Sequence, residues 1–191
     1  MTEPPTTPAP ARLTVVSGPT AVGKGTVVTA LARAHPEIFV SVSATTRAPR
    51  PGEVDRVHYL FTTEGEFDDL VDTGALLEWA VVHGVHRYGT PRAPVLAALA
   101  QGRAAVLEID LQGARQVRTS CPTARFVFLS PPSWAELVRR LIGRGTESPA
   151  QQERRLQTAR AEMAAQSEFD HVVVNSEVGQ AVQELVALAR L

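Results

Sequence analysis

Lysine is almost absent from this chain: eighteen of its 19 basic residues are arginine, and the remaining one is Lys24. Cysteine is reduced to Cys121, which excludes an internal disulfide or a cysteine-cluster metal site and makes a reducing cytoplasm the expected compartment. No apolar run approaches the roughly 18 residues of a membrane span. The N-terminal stretch also lacks the basic and apolar regions of a signal peptide. Net charge is missing too. Against 19 basic residues stand 20 acidic ones, formally −1, which argues against a strongly basic nucleic-acid binder and against an acidic disordered tail. Aromatic residues are only 5%, with two tyrosines, Tyr59 and Tyr88. What is there is ordinary for a globular fold: 191 residues, 44% hydrophobic and 20% charged, enough for one domain or one domain with an inserted subdomain.

The lone lysine stands in Gly18-Pro19-Thr20-Ala21-Val22-Gly23-Lys24-Gly25-Thr26. An ammonium is a compact charge on a thin stem, able to enter a loop of backbone N–H groups where a planar guanidinium is too wide. The spacing is that of a phosphate-binding loop, G-x-x-x-x-G-K. Its setting fits, with the β-branched run Leu13-Thr14-Val15-Val16 before it and a helical pattern from Thr26 to Ala34 after it. The helix N-terminus adds its dipole to the anion site. The motif template places Ser or Thr directly after the lysine. Here Gly25 intervenes before Thr26, so a Mg²⁺ ion would be held mostly by phosphates and waters, which that ion tolerates.

Residues 1–11 (MTEPPTTPAPA) are proline-rich and nearly without apolar groups, which predicts a disordered arm. From Leu13 onward, strand-like and helix-like segments alternate. The strands are expected at Ile38–Ser43, Leu76–Val82, Ala105–Ile109, Arg125–Leu129 and His171–Val174. Helices are expected at Glu64–Asp72, Pro91–Gln101, Leu111–Thr119, Ser133–Leu141, Pro149–Ala165 and Val178–Leu191. Such alternation predicts an α/β fold on a mainly parallel sheet flanked by helices. Residues 44–90 break the rhythm, being polar and rich in Arg and Gly, with short alternating stretches at His58–Phe61 and Trp79–His83. They read as a small mixed α+β subdomain set into the core.

A longer series of motifs follows the loop. Ser43-Ala44-Thr45-Thr46-Arg47-Ala48-Pro49-Arg50-Pro51-Gly52-Glu53 is followed by Tyr59, Glu78-Trp79 and Tyr88-Gly89-Thr90. Then come Glu108-Ile109-Asp110-Leu111-Gln112-Gly113, Gly143-Arg144-Gly145-Thr146-Glu147 and Asn175. In kind and in order these resemble the nucleotide-binding segments of guanylate kinases, over about Arg12 to the end of the chain. The resemblance implies a P-loop core (12–42, 91–139 and 156–191), a GMP-binding insertion (43–90) and a short lid (140–155). It also implies Mg²⁺-dependent transfer of the ATP γ-phosphoryl group to GMP and dGMP, giving ADP and GDP, in purine nucleotide metabolism and GMP recycling.

The residue chemistry is consistent with that activity. A nucleoside monophosphate is already an ionised nucleophile near neutral pH, with a second phosphate pKa of about 6, so no general base is needed. Positioning and charge stabilisation remain to be supplied. Residues 18–26 would cradle the ATP phosphates, with Lys24 on the β- and γ-phosphates. Arg47 and Arg50, in a proline-flanked loop, could present two guanidinium forks to one phosphate. By family position, Tyr59 and Tyr88 would donate hydroxyl protons to the GMP phosphate. By the same resemblance, Glu78 would read guanine, accepting from N1–H and the exocyclic amine together, and adenine would leave that carboxylate unpaired. Ser43 and Thr90 would bond around O6, with Glu108 on the amine side. Asp110 would orient Mg²⁺ through water or cap the next helix. Arg140, Arg144 and Arg155 match arginines placed on the transferring phosphate, and Asn175 matches an adenine contact.

The sequence leaves three alternatives open. They are an active kinase, a binding module of the same fold that takes a partner peptide, and a P-loop kinase for another small molecule. The five histidines show no ligand spacing on a helix face. Neither a nucleic-acid, a membrane nor an obligate protein partner is implied.

Overall fold

The computed structural model describes residues 13–82, 84–142 and 149–191. The expected N-terminal arm and Gly143–Ser148, the centre of the expected lid, lie outside the described residues.

The first strand, β1 (Leu13–Ser17), is buried along its whole length, as a strand covered on both faces must be. The phosphate-loop residues then turn the chain into α1 (Lys24–Ala34). β2 (Phe39–Val40) is much shorter than the six residues expected, because the chain leaves the core sheet just after Ser41, whose N–H still donates to the Val106 carbonyl. A second set of elements follows: β3 (Ala44–Thr45), β4 (Leu60–Phe61), α2 (Glu64–Asp72), β5 (Leu76–Val82) and β6 (His86–Pro91). The chain returns through α3 (Arg92–Ala100), β7 (Ala105–Glu108), α4 (Leu111–Ser120), β8 (Arg125–Ser130) and α5 (Trp134–Ile142). It ends with α6 (Pro149–Ala164), a short 3₁₀ turn (Ala165–Glu168), β9 (His171–Val174) and α7 (Val178–Arg190).

Two sheets result. The five-stranded sheet has the order β2-β7-β1-β8-β9, and all its pairings are parallel. Its faces are covered by two apolar clusters. One packs Leu31, Leu137, Leu185 and Val186 against Val16, Val106 and Leu129; the other packs Val95 and Val117 against Val15, Leu107 and Phe126. The second sheet, β4-β3-β6-β5, is mixed: β3 runs parallel to β4 but antiparallel to β6, and β5 is antiparallel to β6. Its small core is Ala44, Phe67 and Leu76. α2 owes its start to a full capping box between Thr63 and Glu66, a reciprocal pair worth about 1 kcal/mol. The α/β class, the parallel sheet and the separate mixed sheet all follow the sequence expectation.

In the parallel sheet the carboxyl ends of β1 and β7 lie side by side, with Val16 opposite Glu108. That places the phosphate loop next to the Glu108–Asp110 stretch. Ligands of parallel α/β sheets bind at this edge.

Candidate active site

The phosphate loop closes through a hydrogen bond from the Val22 N–H to the Pro19 carbonyl, 3.2 Å. Gly18 passes so close to β8 that any Cβ would overlap the Leu129 carbonyl oxygen, so no other residue fits there. Ala21 takes a left-handed conformation at φ 65°. This costs an L-residue about 1–2 kcal/mol, and it shows that the loop keeps its turn with a methyl at that point. The Lys24 ammonium folds over the loop and donates to the carbonyls of Gly18 (2.7 Å) and Pro19 (3.2 Å). Glu162, from α6, accepts the Thr20 N–H at 2.7 Å, so a carboxylate occupies one donor of the anion-binding loop.

Behind the loop, two expected site residues serve as braces. Asn175 is 4% exposed and donates its amide N–H to the Val22 carbonyl at 2.8 Å. Arg140 donates to the same carbonyl at 3.1 Å, to the Asn175 carbonyl at 3.3 Å and to Glu136 at 2.8 Å. Arg155 lies half-buried on α6, and Arg144 is outside the described residues.

Across from the loop, the second sheet contributes a cluster around Arg47. That residue is 8% exposed and is tied on three sides. Nη2 pairs with Glu53 at 2.9 Å, Nη1 donates to the Ala48 carbonyl at 2.7 Å and Nε donates to the Tyr88 hydroxyl at 3.0 Å. The Glu53 pairing holds Arg47 firmly in its charged form and lowers the Glu53 pKa in turn. The Tyr88 oxygen accepts from Arg47, which leaves its own proton available to a ligand. Tyr59 packs edge-on against Tyr88, 5.8 Å between ring centres, and Arg47 lies over the Tyr59 ring at 5.3 Å. Burial raises the Tyr59 pKa, so its hydroxyl stays a proton donor. Arg50 differs from the expectation of a paired fork: its side chain is exposed, and its backbone N–H donates to Glu53 at 2.7 Å. That bond ties down the loop.

Glu78 on β5 is 5% exposed and accepts the Thr90 hydroxyl at 2.6 Å. Burial, assisted by the nearby Asp110 charge, pushes its carboxyl up to about 7. Thr90 has one hydroxyl proton and directs it at Glu78, so it orients that carboxylate and cannot at the same time donate to a base O6.

Glu108 lies between the phosphate loop and Tyr59, and Asp110 lies beside Glu78. The Glu108 carboxylate lies 3.6 to 3.8 Å from where a Gly25 Cβ would stand. Burial raises its pKa while the Lys24 charge lowers it, so it faces the phosphate loop. Asp110 caps α4 by accepting the Gly113 N–H at 2.8 Å, and its charge acts on Glu78. Consecutive strand residues point to opposite faces, but here β7 ends at Glu108 and Asp110 opens the helix, so spacing alone could not assign the two carboxylates.

One cavity of about 500 Å³ lies between the phosphate loop and the second sheet, and Arg47 and Thr90 stand behind its wall. Thr20, Lys24 and Glu162 line one end; Ser43, Tyr59, Glu78 and Tyr88 line the other, with Glu108 and Asp110 between. A volume of this order suits a nucleotide. Among the described residues, no group of three or more His, Cys, Asp or Glu could hold a metal unaided.

The guanylate kinase family model matches residues 10–190. The chain belongs to the guanylate kinase family. Relatives named guanylate kinase are 63% identical over 182 residues in Cutibacterium acnes, covering 95% of this chain and 92% of the relative, and 60% identical in Thermobifida fusca, covering 94% and 91%. A crystal structure of guanylate kinase from Anaplasma phagocytophilum superposes with a TM-score of 0.76 at 30% identity, covering 94% of this chain and 84% of that one. Within this family member, Glu53 and Gly113 stand in the sequence motifs without a role read from them, and Gln116 and Glu162 stand outside those motifs. So does Ser41, whose buried hydroxyl on the cavity wall has no hydrogen-bond partner among the described residues. Glu53 closes the arginine loop and was legible as an acid within reach of Arg47; the others depend on contacts across the fold.

Proposed function

We infer that this chain transfers the γ-phosphoryl group of ATP to GMP, giving ADP and GDP, and that dGMP is accepted too. The observation that carries this reading is the single cavity, with a lysine-bearing phosphate loop at one end and a buried carboxylate beside two tyrosines at the other.

In this reading residues 43–90 form the acceptor side. Glu78 accepts N1–H and the exocyclic amine of guanine, and adenine is disfavoured because it offers an acceptor at N1 to a buried carboxylate. Asp110 lies on the same edge and adds to that recognition. Arg47, already charged and fixed by Glu53, takes the acceptor phosphate together with the hydroxyl protons of Tyr59 and Tyr88. Being positioned before substrate arrives, these groups lose little freedom on binding.

On the donor side the Lys24 ammonium swings from the loop carbonyls to the ATP phosphates, and Arg140 and Asn175 keep the loop shape through Val22. By resemblance to the family, Arg155 and Arg144 act on the transferring phosphate. An oxygen of the acceptor phosphate attacks phosphorus, the bond to the β-phosphate oxygen breaks, and ADP leaves with the electron pair. No general base is required, since the attacking oxygen is already ionised.

The Glu108 carboxylate, beside Gly25 and Lys24, would give Mg²⁺ one oxygen ligand, with the rest from phosphates and water, which this ion tolerates. When bound, it neutralises charge on the donor phosphates. Among the described residues no helix is long and apolar enough to cross a membrane, which is compatible with a cytoplasmic enzyme acting on free nucleotides.

The test is an ADP-release assay with GMP, dGMP, AMP, CMP and UMP as acceptors. Turnover is expected with GMP and dGMP. Turnover with AMP and not GMP overturns the acceptor assignment, and silence with all five supports a peptide-binding module.

A further inference from the structure

We propose that one face of α4, through Gly113 and Gln116, positions Glu78 and thereby sets the guanine preference from outside the base pocket. The proposal rests on the reading of Glu78 as the group that accepts the guanine edge. Glycine is the poorest helix former after proline, yet Gly113 stands within the first turn of α4. Its surroundings give the reason. A Cβ there would overlap Oε2 of Glu78, would come within 2.9 Å of the carboxyl carbon and would sit 3.4 Å from Oδ1 of Asp110. The other carboxylate oxygen is held by Thr90 at 2.6 Å. Glu78 is thus wedged between the Thr90 hydroxyl and the bare backbone of α4, and a methyl on Gly113 would push it off Thr90.

One helical turn on, Gln116 secures the next residue of the strand. Its Oε1 accepts the Trp79 N–H at 3.2 Å and its Nε2 donates to the Trp79 carbonyl at 2.7 Å. β5 is an edge of the second sheet, and an edge leaves backbone groups open. Gln116 satisfies both groups of Trp79 at once, in the manner of a neighbouring strand. Together the two residues of the parallel-sheet core hold a base-reading residue that belongs to the other sheet. Neither lines the cavity; both are positioning residues.

Gly113→Ala is expected to raise the KM for GMP by about tenfold or more, as for a charged hydrogen-bonding partner moved out of place. The KM for ATP should stay within about twofold. Thermal melting gives a second readout that needs no substrate. In the native background Gly113→Ala lowers the melting temperature, while in a Glu78→Ala background, where the obstacle is gone, the same change raises it through helix propensity. An unchanged KM for GMP, equal rises in both KM values, or the same sign of melting shift in the two backgrounds would each overturn the proposal. A failure of the base-reader assignment shows separately, as a Glu78→Ala enzyme that still prefers GMP to AMP.

Discussion

Replacing Glu78 by Gln makes two opposed changes that can be measured on one pair of proteins. Without ligand, the buried carboxyl titrates at about 7 against an ordinary value of 4.5, mainly because burial disfavours its charge. Between those values the folded chain binds a proton that the unfolded chain has released, so stability falls as pH rises through the window. At about 1.4 kcal/mol per pH unit, the full penalty above pH 7 is about 3 kcal/mol. Gln is nearly isosteric, does not titrate, and still accepts the Thr90 proton through its carbonyl oxygen. The variant should therefore gain little at pH 5 and about 3 kcal/mol by pH 8, read from denaturant unfolding of the free protein. GMP binding should move the other way. Binding selects the ionised carboxylate, so at pH 7 native protein should release about half a proton on taking up GMP. That release is read by calorimetry in two buffers of different ionisation heat and compared with the Gln variant, which isolates it from the phosphate's own titration near pH 6. Guanine selectivity should be weakened in the variant. A stability difference that does not grow between pH 5 and 8, or equal proton release by the two proteins, would refute the reasoning.

Three further outcomes are expected. Lys24→Met should lower kcat by orders of magnitude while calorimetric GMP affinity changes little, since the two ends of the cavity are separate; a collapse of GMP binding in folded protein would contradict the layout. Glu53→Gln removes the charge that fixes Arg47, and GMP affinity should fall about tenfold with ATP affinity unaltered, by calorimetry with each nucleotide. Glu162→Gln removes a negative charge from the Thr20 amide, so the KM for ATP should drop by a few-fold at low ionic strength; a rise would mean that the carboxylate helps the donor nucleotide to bind.

Much of this was readable from the chain alone, for identifiable reasons. Phosphate loops leave a local signature, because a tight turn and a helix start need glycine and one small cation at fixed spacing. Strand β9 and helix α2 match the expected bounds because their apolar period or capping residues are local. β2 fell short of its expected length because the chain departs just after Ser41 to build the second sheet, which no local pattern reports. The site was legible as a set of residues and not as a set of partners. Thr90, Asn175 and Arg140 each carry a side chain suited to a ligand, yet each is engaged by a protein neighbour: Glu78 on the adjacent strand for Thr90, and Val22, distant in sequence, for the other two. The different surroundings of Glu108 and Asp110 have the same origin, a strand that ends between two carboxylates and turns them apart.

The folding of Lys24 onto the carbonyls of Gly18 and Pro19 has a consequence for covalent chemistry. Elsewhere the chain uses only arginine for its cations, so acetyl, succinyl or other acyl groups that seek a side-chain amine have a single target. Acylation there would abolish the positive charge at the mouth of the phosphate loop, and the extent of labelling at this one position would equal the fraction of molecules disabled.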